Sequence, residues 1–432
     1  MGGDNRQRVV ILGGGFGGLY AALELDKTLA KDRSVTVTLI SRENFFLFTP
    51  MLHEVAASDL DITHIVSPIR QMLRHVDFCE GTVESIDLEA KKVVVTYGLS
   101  NQKQVVEYDY LLIALGGITN FYHLPGLEEH ALTMKSLGDA IYLRNRLIAN
   151  LETAHFEKER EGREPYLTLV VAGGGFAGVE TVAGVNDFLR EAIRFYPRLN
   201  EEELRVVLVN DQPVILTEVS EKLGRYACEK LSERKVEVRL GHAVKGFSEK
   251  GVELADGTLI RTNTLVWTAG VAANPLVQTL PCKKERGRLV ANEYMEVAGY
   301  PGVWALGDCA TIPDIKTGKP YPPTAQHAMR QGTVCARNIR AAIRGERGKP
   351  FVYSSMGQMA ALGKRAGVAN ILGINISGFV AWVLWRTIYL VKLPRFEKKL
   401  RVALDWALDL FFTADIVQFM TVRAHTVSQP ED

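Results

Sequence analysis

Two glycine triads of equal spacing are the residues of this sequence that most directly imply chemistry. Each follows an apolar run, VVIL or LVVA, and precedes a segment of small and apolar residues that is typical of a helix. The triads are Gly13, Gly15 and Gly18, and Gly173, Gly175 and Gly178. In such a turn the first glycine permits a tight bend, the second lets the backbone approach a pyrophosphate, and the third lets the helix pack on the strand. Since a helix N-terminus also attracts phosphate, the sequence predicts two dinucleotide sites.

The ribose of a dinucleotide is usually contacted from the end of the next strand. In the first unit this position is Ser41, with Glu43 two residues later, and in the second it is Asn210, followed by Asp211. Serine hydrogen-bonds a ribose hydroxyl more weakly than a carboxylate does, and Glu43 has a second interpretation as a solvated loop charge. Because Asp211 would repel a 2′-phosphate and no arginine follows it directly, the pattern favours NADH over NADPH.

A third motif indicates a flavin. The segment GVWALGDCA (302–310) places Gly307 and Asp308 after an apolar strand. A carboxylate there can accept a hydrogen bond from a sugar-alcohol hydroxyl, such as the ribityl chain of a flavin carries. The alternative is a helix N-cap aspartate. With two dinucleotide folds upstream, we expect FAD at the Gly13 turn and NADH at the Gly173 turn.

The elements that must position these residues indicate an α/β protein with two Rossmann-like dinucleotide-binding domains. Residues 9–25 are echoed by residues 169–185, a separation that is too long for a solenoid repeat and suits a whole domain. A chain of 432 residues also has room for two or three domains. We predict the first part of an FAD-binding domain at 1–136, a linking helix at 137–165, an NAD(H)-binding domain at 166–290, the second part of the FAD-binding domain at 291–350, and a membrane-associating region at 351–432.

Composition and charge exclude several classes of protein. The net charge of +1 provides no global basic field, so no nucleic-acid partner is expected. The five cysteines form no CxxC pair and have no metal-ligand spacing, which predicts reduced thiols and no metal site. The first residues, MGGDNRQRVVILGGG, carry neither a signal-peptide pattern nor a myristoylation pattern, since Arg6 stands where the latter needs Ser or Thr.

The carboxyl-terminal part changes in composition. Segment 371–391 is apolar and aromatic but is interrupted by Asn375 and Arg386, so it is a poor candidate for a bilayer span. Segment 392–401 is basic and would be attracted to anionic headgroups. Segment 402–420 is amphipathic and is typical of a helix that lies in the membrane interface.

In that last predicted helix the charged residues recur every four positions along one face, and apolar residues lie elsewhere around it. The charged residues are Arg401, Asp405 and Asp409, and the apolar ones are Trp406, Leu410, Phe411 and Val417. We therefore predict membrane docking through residues 371–420. The alternatives are burial of the apolar faces against the catalytic domains or a homodimer contact.

The order GGGFGG, DYLLIALGG, GGGFAG, TAG and ALGD resembles the flavoproteins with two dinucleotide-binding domains. Within that group, FLFTPMLHEVA (46–56), YPPTAQHAMRQG (321–332) and MGQMAALGKRAGVA (356–369) resemble type II NADH dehydrogenases. These are single-subunit NADH:quinone oxidoreductases of respiratory membranes. The resemblance spans nearly the whole chain and implies that NADH reduces FAD and that the electrons then pass to a membrane quinone. It also implies peripheral attachment at the cytoplasmic face of the cell membrane.

The resemblance also implies roles for individual residues. The family segment AQxAxQ, which lies beside the flavin ring and the quinone headgroup, corresponds to Gln326, while its second glutamine is replaced by Arg330. Arg330 could contact the quinone or the reduced flavin, or turn away to pair with a carboxylate, and His327 between them is expected to be structural. Glu180 corresponds to a family glutamate near the nicotinamide, with stabilisation of the helix N-terminus as its alternative. Thr49 is expected near the flavin ring, and Gly270 of the TAG segment near NAD.

Other functions remain as alternatives. A dithiol or sulfide enzyme would need a redox-active cysteine pair near the flavin, and residues 41–56 contain no cysteine. A soluble NAD(P)H-dependent reductase of a ferredoxin or rubredoxin would not need the amphipathic tail. A non-catalytic redox sensor would bind nucleotide without turnover.

Overall fold

The structure is a computed structural model that describes residues 6–419, so parts of the first and last predicted segments, 1–5 and 420–432, lie outside the described residues. The first parallel sheet has the order β21-β9-β1-β2-β5. Its strands are β1 (Gln7–Leu12), β2 (Val35–Ser41), β5 (Asp77–Glu80), β9 (Tyr110–Ile113) and β21 (Val303–Ala305). The strand from residues 303–305 thus joins a sheet that is otherwise built from the amino-terminal part.

The second parallel sheet has the order β13-β12-β11-β17 and repeats the architecture of the first. Its strands are β11 (Thr168–Ala172), β12 (Arg205–Asn210), β13 (Val236–Leu240) and β17 (Leu265–Trp267). The β-branched and leucine residues of β11 and β12 are almost all buried, as expected for parallel strands covered on both faces. The predicted α/β class is confirmed.

Smaller antiparallel units accompany the two parallel sheets. They contain β3 (Phe45–Leu47) with β4 (Val66–Pro68), β6 (Thr82–Asp87) with β7 (Lys92–Tyr97) and β8 (Gln102–Glu107), β10 (Gly117–Thr119) with β18 (Val271–Ala273), and β14 (Val244–Ser248) with β15 (Gly251–Leu254) and β16 (Leu259–Ile260). A mixed three-stranded unit joins β19 (Lys284–Glu285), β20 (Arg288–Val290) and β22 (Ala310–Thr311).

The helices connect and cover the sheets. They are α1 (Phe16–Thr28), α2 (Leu52–Ala56), α3 (Leu127–His130), α4 (Leu137–Phe156), α5 (Arg160–Leu167), α6 (Phe176–Ala192), α7 (Glu221–Glu233), α8 (Pro275–Thr279) and α9 (Ala325–Ile343). Helices α1 and α9 pack closely because glycines meet at their crossing, where a Cβ atom on Gly332 would lie 2.2 Å from the carbonyl oxygen of Gly17. The segment predicted as one linking helix, 137–165, instead forms two helices, α4 and α5, with a break after residue 156. Helix α4 begins with a capping box formed by Ser136 and Asp139.

The carboxyl-terminal region contains an antiparallel sheet and two helices. The sheet comprises β23 (Gly357–Ala361), β24 (Gly367–Ile371) and β25 (Ile374–Ser377), and the helices are α10 (Phe379–Lys392) and α11 (Phe396–Leu408). The apolar segment 371–391 is therefore a β-hairpin followed by a helix of 14 residues. Among residues 6–419, no helix is both long enough and apolar enough to span a bilayer.

The prediction of one amphipathic helix over 402–420 is wrong in its bounds, and it is wrong in the orientation of Trp406 and of the charged face, whereas Leu410, Phe411 and Val417 are exposed. The helix begins at Phe396 and ends at Leu408, and residue 420 lies outside the described residues. Asp405 faces His64, and Asp409 accepts a hydrogen bond from Lys364, so these charges point toward the protein body. Trp406 is buried rather than presented to the outside. The reason is that His64, in the loop after α2, and Lys364, in the loop between β23 and β24, bind these two aspartates.

Candidate active site

The first glycine turn joins β1 to α1 with the geometry that the spacing predicts. Gly13 has a φ of +104°, which an L side chain rarely adopts, and a Cβ atom on Gly18 would lie 1.9 Å from the carbonyl oxygen of Gly13. By contrast, a Cβ atom on Gly15 would have no neighbour within 4 Å. Gly13 and Gly18 therefore shape the turn, whereas Gly15 leaves open space in front of the helix N-terminus.

The second turn repeats this arrangement between β11 and α6. Gly173 has a φ of +115°, a Cβ atom on Gly178 would lie 1.9 Å from the carbonyl oxygen of Gly173, and Gly175 again faces open space. Gly270 has a φ of +90°, and a Cβ atom there would lie 2.6 Å from the ring of Tyr122. The helix N-terminus and the space at Gly175 suit a second pyrophosphate.

The polar residues at the ends of β2 and β12 lie next to the two glycine turns. The Oδ1 atom of Asn210 accepts a hydrogen bond of 3.0 Å from the backbone N–H of Gly174, and its Nδ2 atom donates to the carbonyl oxygens of Gln212 and Val214 at 3.1 Å each. Both donors of the amide are therefore used within the protein, and Asp211 is left exposed beside it.

Ser41 occupies the corresponding place in the first unit. It is buried, and a Cβ atom on Gly14 would lie 2.6 Å from its Oγ atom. Glu43 is half-exposed and forms an ion pair with Arg42. That arrangement agrees with the interpretation of Glu43 as a solvated loop charge.

A cavity of about 360 Å³ extends from the first glycine turn to the end of β21. It is lined by Gly15, Thr49, Gly307, Asp308 and Lys135, among others. Asp308 lies in a 3-10 turn behind Leu306, so the alternative of a helix N-cap does not apply. Burial raises the pKa of Asp308, while the charges of Lys135 and Arg288 oppose that rise.

This cavity fits the requirements of FAD. The open space at Gly15 leaves room for a pyrophosphate, and among the described residues no donor reaches the Asp308 carboxyl, which can therefore accept from a ribityl hydroxyl. Lys135 was not anticipated, because its place in the cavity depends on the path of the chain before α4 and not on a local motif.

A second cavity of about 290 Å³ adjoins the first, and the two share Thr49, Met134 and Ala325 in their walls. Its other walls bring together Gln326 and His327 of α9, Phe176 and Glu180 of α6, His53 of α2, and Tyr389 and Lys392 of α10. The first turns of α6, which follows the second glycine turn, therefore line the same cavity as Ala325 and Gln326 of α9. Burial lowers the pKa of Lys392 and raises that of Tyr389.

Glu180 lies in the wall of this second cavity and is buried. Its Oε1 atom accepts hydrogen bonds from the backbone N–H of Ala361 at 3.1 Å and from the indole Nε1 of Trp385 at 2.9 Å. Burial raises the pKa of Glu180 to about 8, so the carboxyl is largely protonated at neutral pH. It lies at the junction of three parts of the chain and does not act as a cap of its helix, which begins at Phe176.

Gln326 and Arg330 are placed differently. Gln326 lines the second cavity, and its Nε2 atom donates to the hydroxyl of Tyr353. Arg330 donates to the backbone carbonyl of Gln326 at 2.9 Å, and its guanidinium lies 4.3 Å from the centre of the Tyr353 ring. Arg330 thus turns to an aromatic ring and a carbonyl rather than to a carboxylate, and it is not part of the cavity wall.

His327 is held within the protein. Its Nδ1 atom hydrogen-bonds to Thr324 Oγ1 at 2.7 Å, and its ring packs 5.2 Å from that of Tyr353. Thr324 is also the N-cap of α9. These contacts support the structural interpretation of His327. His53, Tyr389 and Trp385 were not anticipated, because no local pattern places α2 or α10 beside α6.

Comparison with known proteins gives consistent results. Residues 7–332 match the family described as pyridine nucleotide-disulphide oxidoreductase, and residues 356–415 match the NDH2 C-terminal domain. A type II NADH:quinone oxidoreductase of Mycobacterium tuberculosis is 32% identical over 425 residues, which cover 94% of this chain and 89% of that protein. A probable NADH dehydrogenase of Dictyostelium discoideum is 31% identical over 421 residues, which cover 96% of this chain and 91% of that protein.

The fold is also that of a solved structure. NDH2 from Plasmodium falciparum, in complex with NADH, superimposes with a TM-score of 0.89 at 20% identity, covering 95% of this chain and 100% of that one.

Proposed function

The chain belongs to the pyridine nucleotide-disulphide oxidoreductases and, within them, to the type II NADH:quinone oxidoreductases. We infer that it is a respiratory enzyme that oxidises NADH, reduces a membrane quinone and pumps no protons. FAD, when bound, supplies the redox chemistry by accepting a hydride and passing on two electrons. The protein's own residues bind FAD and NADH, orient the quinone and supply the proton that quinol formation needs.

One observation carries this proposal: the two cavities meet at Thr49, Met134 and Ala325. The 360 Å³ cavity runs from Gly15 to Asp308 and fits FAD, and the 290 Å³ cavity lies where α6, α9 and α10 converge. The junction is the place where a flavin ring would face both NADH, bound at the second glycine turn, and a quinone. Such proximity is the main contribution that a protein makes to hydride and electron transfer.

The wall residues have matching chemistry. We propose that Gly13, Gly15, Gly18, Ser41, Gly307 and Asp308 hold FAD, and that Gly173, Gly175, Gly178, Asp211 and Gly270 hold NADH. Asn210 contributes by fixing the second turn through its three hydrogen bonds. Gln326 is suited to orient a quinone carbonyl, and the Glu180 carboxyl, at the boundary of both sites, is suited to supply a proton.

The direct test uses the purified protein with its flavin. The absorbance near the oxidised-flavin band should bleach on addition of NADH and return on addition of a short-chain quinone. Recovery with a ferredoxin or rubredoxin but not with quinone would favour the soluble-reductase alternative. Bleaching that is absent altogether would favour a nucleotide-binding sensor. Comparing NADH with NADPH at equal concentration measures the expected preference for NADH.

We propose that α10, α11 and the segment after them dock onto a lipid surface. Along α11, Phe396, Leu400, Leu404 and Leu408 recur every four residues, and they are 80%, 64%, 57% and 47% exposed. Residues four apart lie on one face of a helix, so they form a continuous apolar stripe. An exposed apolar stripe of this kind marks an interaction surface.

Further exposed apolar side chains lie on α10 and in the segment after α11. Phe379, Val380 and Val391 of α10 are 59%, 58% and 66% exposed, and Phe411 and Phe412 beyond α11 are 83% and 67% exposed. Because Tyr389 and Lys392 of α10 also line the second cavity, the proposed lipid-facing surface adjoins the proposed quinone site. A quinone dissolved in lipid would then reach the cavity without crossing water.

The basic segment contributes less charge than its composition suggests. Lys398 is buried and donates to the carbonyl oxygen of Thr63, Lys392 lines the cavity, and Arg395 pairs with Glu397. Lys399 donates to the carbonyl oxygen of Val391 at 2.7 Å, so the exposed Arg401 is the basic residue of this segment best placed for anionic headgroups. Apolar contact therefore carries most of the proposed attachment. We place the enzyme peripherally at the cytoplasmic face of the cell membrane, where NADH and a lipid-dissolved quinone meet.

A homodimer is the competing use of the same surface. The α11 stripe could pack against a second copy of the chain, as exposed apolar patches do in many oligomers. Sedimentation equilibrium in detergent-free buffer, compared with the same measurement on a stripe variant, distinguishes a dimer that uses this stripe from one that forms elsewhere.

A further inference from the structure

The imidazole of His53, on α2, lies between the 290 Å³ cavity and a much smaller one of about 20 Å³. His53 is buried and lines both spaces. The smaller cavity is also lined by Glu54, Asp59, Lys364 and Arg386. A space of that volume holds about one water molecule, and these side chains provide the polar partners that a buried water needs.

Toward the larger cavity, His53 faces Glu180. The Nδ1 atom of His53 lies 3.9 Å from Oε2 of Glu180. The other carboxyl oxygen, Oε1, accepts both of the hydrogen bonds from Ala361 and Trp385. Oε2 is therefore the oxygen that is left to exchange a proton with the imidazole.

On its other edge, His53 faces the smaller cavity. A Cβ atom on Gly184, which lines that cavity, would lie 3.7 Å from Cδ2 of His53. Cδ2 is bonded to Nε2, so the second ring nitrogen is on this edge. The imidazole thus separates two spaces and has a nitrogen toward each.

The smaller cavity leads to solvent through a charged cluster. Lys364 Nζ lies 2.7 Å from Asp409, 3.1 Å from Glu191 and 3.7 Å from Asp59, and its side chain is 29% exposed. Asp59 itself lines the smaller cavity. Carboxylates and an ammonium group therefore connect the proposed water site to the surface.

The reaction requires such a connection. NADH, quinone and one proton yield NAD⁺ and quinol, so NADH supplies a hydride while the remaining proton must come from water. We propose that His53 is the relay residue that carries this proton from the 20 Å³ cavity to Glu180.

In that step the O–H bond of Glu180 breaks as an O–H bond forms on the quinol. The Glu180 carboxylate then takes the proton from Nδ1 of His53 while Nε2 of His53 takes one from the water in the smaller cavity. The hydroxide that this leaves is reprotonated from solvent through the Asp59 and Lys364 cluster, so one solvent proton is consumed per quinol. Rotation of the ring about the Cβ–Cγ bond then turns the protonated nitrogen toward Glu180 for the next turnover. The inference rests on the proposed quinone reductase function.

Protonation states are compatible with this role. Burial lowers the pKa of His53 to about 3, so its ring is neutral, with one nitrogen that accepts and one that donates. Burial raises the pKa of Glu54 to about 7, with Arg386 opposing the rise. The charged or titratable groups around His53 are Glu54 on its own helix, Glu180 on α6, Arg386 on α10, Asp409 after α11, and Asp59 and Lys364 in loops.

The test compares two replacements of His53 in the flavin-loaded enzyme. His53→Phe keeps a ring against Trp385, whose centroid lies 5.5 Å away, but cannot carry a proton. His53→Ala joins the two cavities and admits water, which can carry one. A relay predicts that Phe slows the quinone-dependent return of flavin absorbance by about tenfold or more and raises its solvent deuterium isotope effect, and that Ala slows it less. Bleaching by NADH, which needs no external proton, should change less than about twofold.

If His53 served only in packing, His53→Ala would be slower than His53→Phe, because alanine removes the ring that supports Trp385. Both the reduction of flavin by NADH and its reoxidation by quinone would then be slower. That order, or an unchanged quinone step in His53→Phe, overturns the relay. The matched control is His155→Phe, which replaces a histidine packed 5.8 Å from Tyr196 and outside both cavities. If wild type itself shows no quinone-dependent recovery, the proposed function fails, which is a separate outcome.

Gly184→Ala provides a second test that leaves His53 in place. The added methyl group would lie 3.3 Å from the Cβ atom of Ala57 and 3.7 Å from the His53 ring, in the wall of the smaller cavity. Displacing the water should slow the quinone step several-fold with flavin binding intact. Proton uptake, followed with an indicator dye during quinol formation, should slow in parallel. Wild-type rates of both would contradict the relay.

Discussion

The indole N–H of Trp385 donates a hydrogen bond of 2.9 Å to the buried carboxyl of Glu180. Trp406 makes the equivalent contact with Glu54, 3.2 Å from each carboxyl oxygen, and the two indole rings lie 6.4 Å apart. Each helix of the carboxyl-terminal region thus inserts one tryptophan into the catalytic body. Deleting the chain after about residue 370 would therefore disrupt the active site as well as any membrane attachment.

The first prediction concerns the Trp385 contact. Trp385→Phe keeps most of the buried ring but removes the N–H, leaving Glu180 Oε1 with one donor fewer. We expect the apparent free energy of unfolding to fall by about 1–3 kcal/mol, the usual cost of removing one partner of a buried hydrogen bond. Urea unfolding of the flavin-loaded protein measures this.

The control for that variant is Trp382→Phe. Trp382 is only partly buried, stacks on Phe379 with ring centres 5.6 Å apart, and lies 4.1 Å from the Arg386 guanidinium. Unlike Trp385, its indole donates no hydrogen bond to a carboxyl of residues 6–419. An equal loss of stability in both variants would show that ring size, and not the hydrogen bond, determines the effect.

A second prediction follows from the pKa of Glu180, which burial raises from 4.5 to about 8. Because the fold favours the protonated carboxyl, the stability that this group contributes is fully present below pH 4.5 and is lost as the pH rises to about 8. Glu180→Gln cannot ionise and escapes that loss. The difference in melting temperature, variant minus wild type, should therefore increase as the pH rises from 5 to 8.

One pKa unit corresponds to about 1.4 kcal/mol. Between pH 5 and 8 the unfolding free energy of Glu180→Gln, relative to that of wild type, should increase by more than that amount. Glu54, with a pKa raised to about 7, titrates in the same window in both proteins and largely cancels in the difference. A stability difference that is independent of pH would contradict the assignment.

A third prediction separates the two dinucleotide sites. At Gly15 and Gly175 an added Cβ atom meets nothing within 4 Å, so alanine should be tolerated by the fold at both positions. The methyl group would, however, enter the space where a pyrophosphate approaches. Gly15→Ala should weaken FAD binding by about tenfold or more, equivalent to about 1.4 kcal/mol. Gly175→Ala should keep its flavin and raise KM for NADH instead.

Flavin content after dialysis and steady-state kinetics check both variants. Gly18→Ala is the reference for a glycine that the fold itself needs, since its Cβ atom would lie 1.9 Å from the Gly13 carbonyl oxygen. If Gly175→Ala loses flavin and Gly15→Ala does not, the assignment of the two sites is reversed.

Local spacing was sufficient for the glycine turns, because the tight bend and the helix packing depend on residues within a few positions of one another. It was insufficient at Asn210, whose partners Gln212 and Val214 lie in a loop with no regular pattern. The orientation of α11 could not be predicted from local sequence either. The partners of its two aspartates, His64 and Lys364, lie far upstream in sequence, and an amphipathic pattern does not specify which face is covered.

A fourth prediction compares Gln326 with Arg330. Gln326 lines the second cavity, whereas Arg330 packs on Tyr353 outside its wall. Gln326→Leu should raise KM for a short-chain quinone by about tenfold, the value of one lost hydrogen bond of about 1.4 kcal/mol. Arg330→Gln, which introduces the glutamine that the sequence resemblance implies at this position, should change that KM by less than about twofold. The opposite ranking would place Arg330 in the quinone site.

The final prediction concerns the apolar stripe of α11. Leu400 and Leu404 are 64% and 57% exposed and lie one helical turn apart, so aspartate at both should be tolerated by the fold while opposing insertion into lipid. Burying one leucine side chain stabilises by about 1.5–3 kcal/mol, so the double variant should bind vesicles at least about tenfold more weakly. Leu99→Asp is the matched control, since Leu99 is fully exposed in the turn between β7 and β8. Co-sedimentation with neutral and anionic vesicles measures the effect, and turnover with a water-soluble quinone verifies that the catalytic site is intact. Because few basic side chains remain free on this surface, the loss should be similar on both lipids. A loss confined to anionic vesicles would assign the attachment to charge, and unchanged binding would leave the α11 stripe to a second copy of the chain.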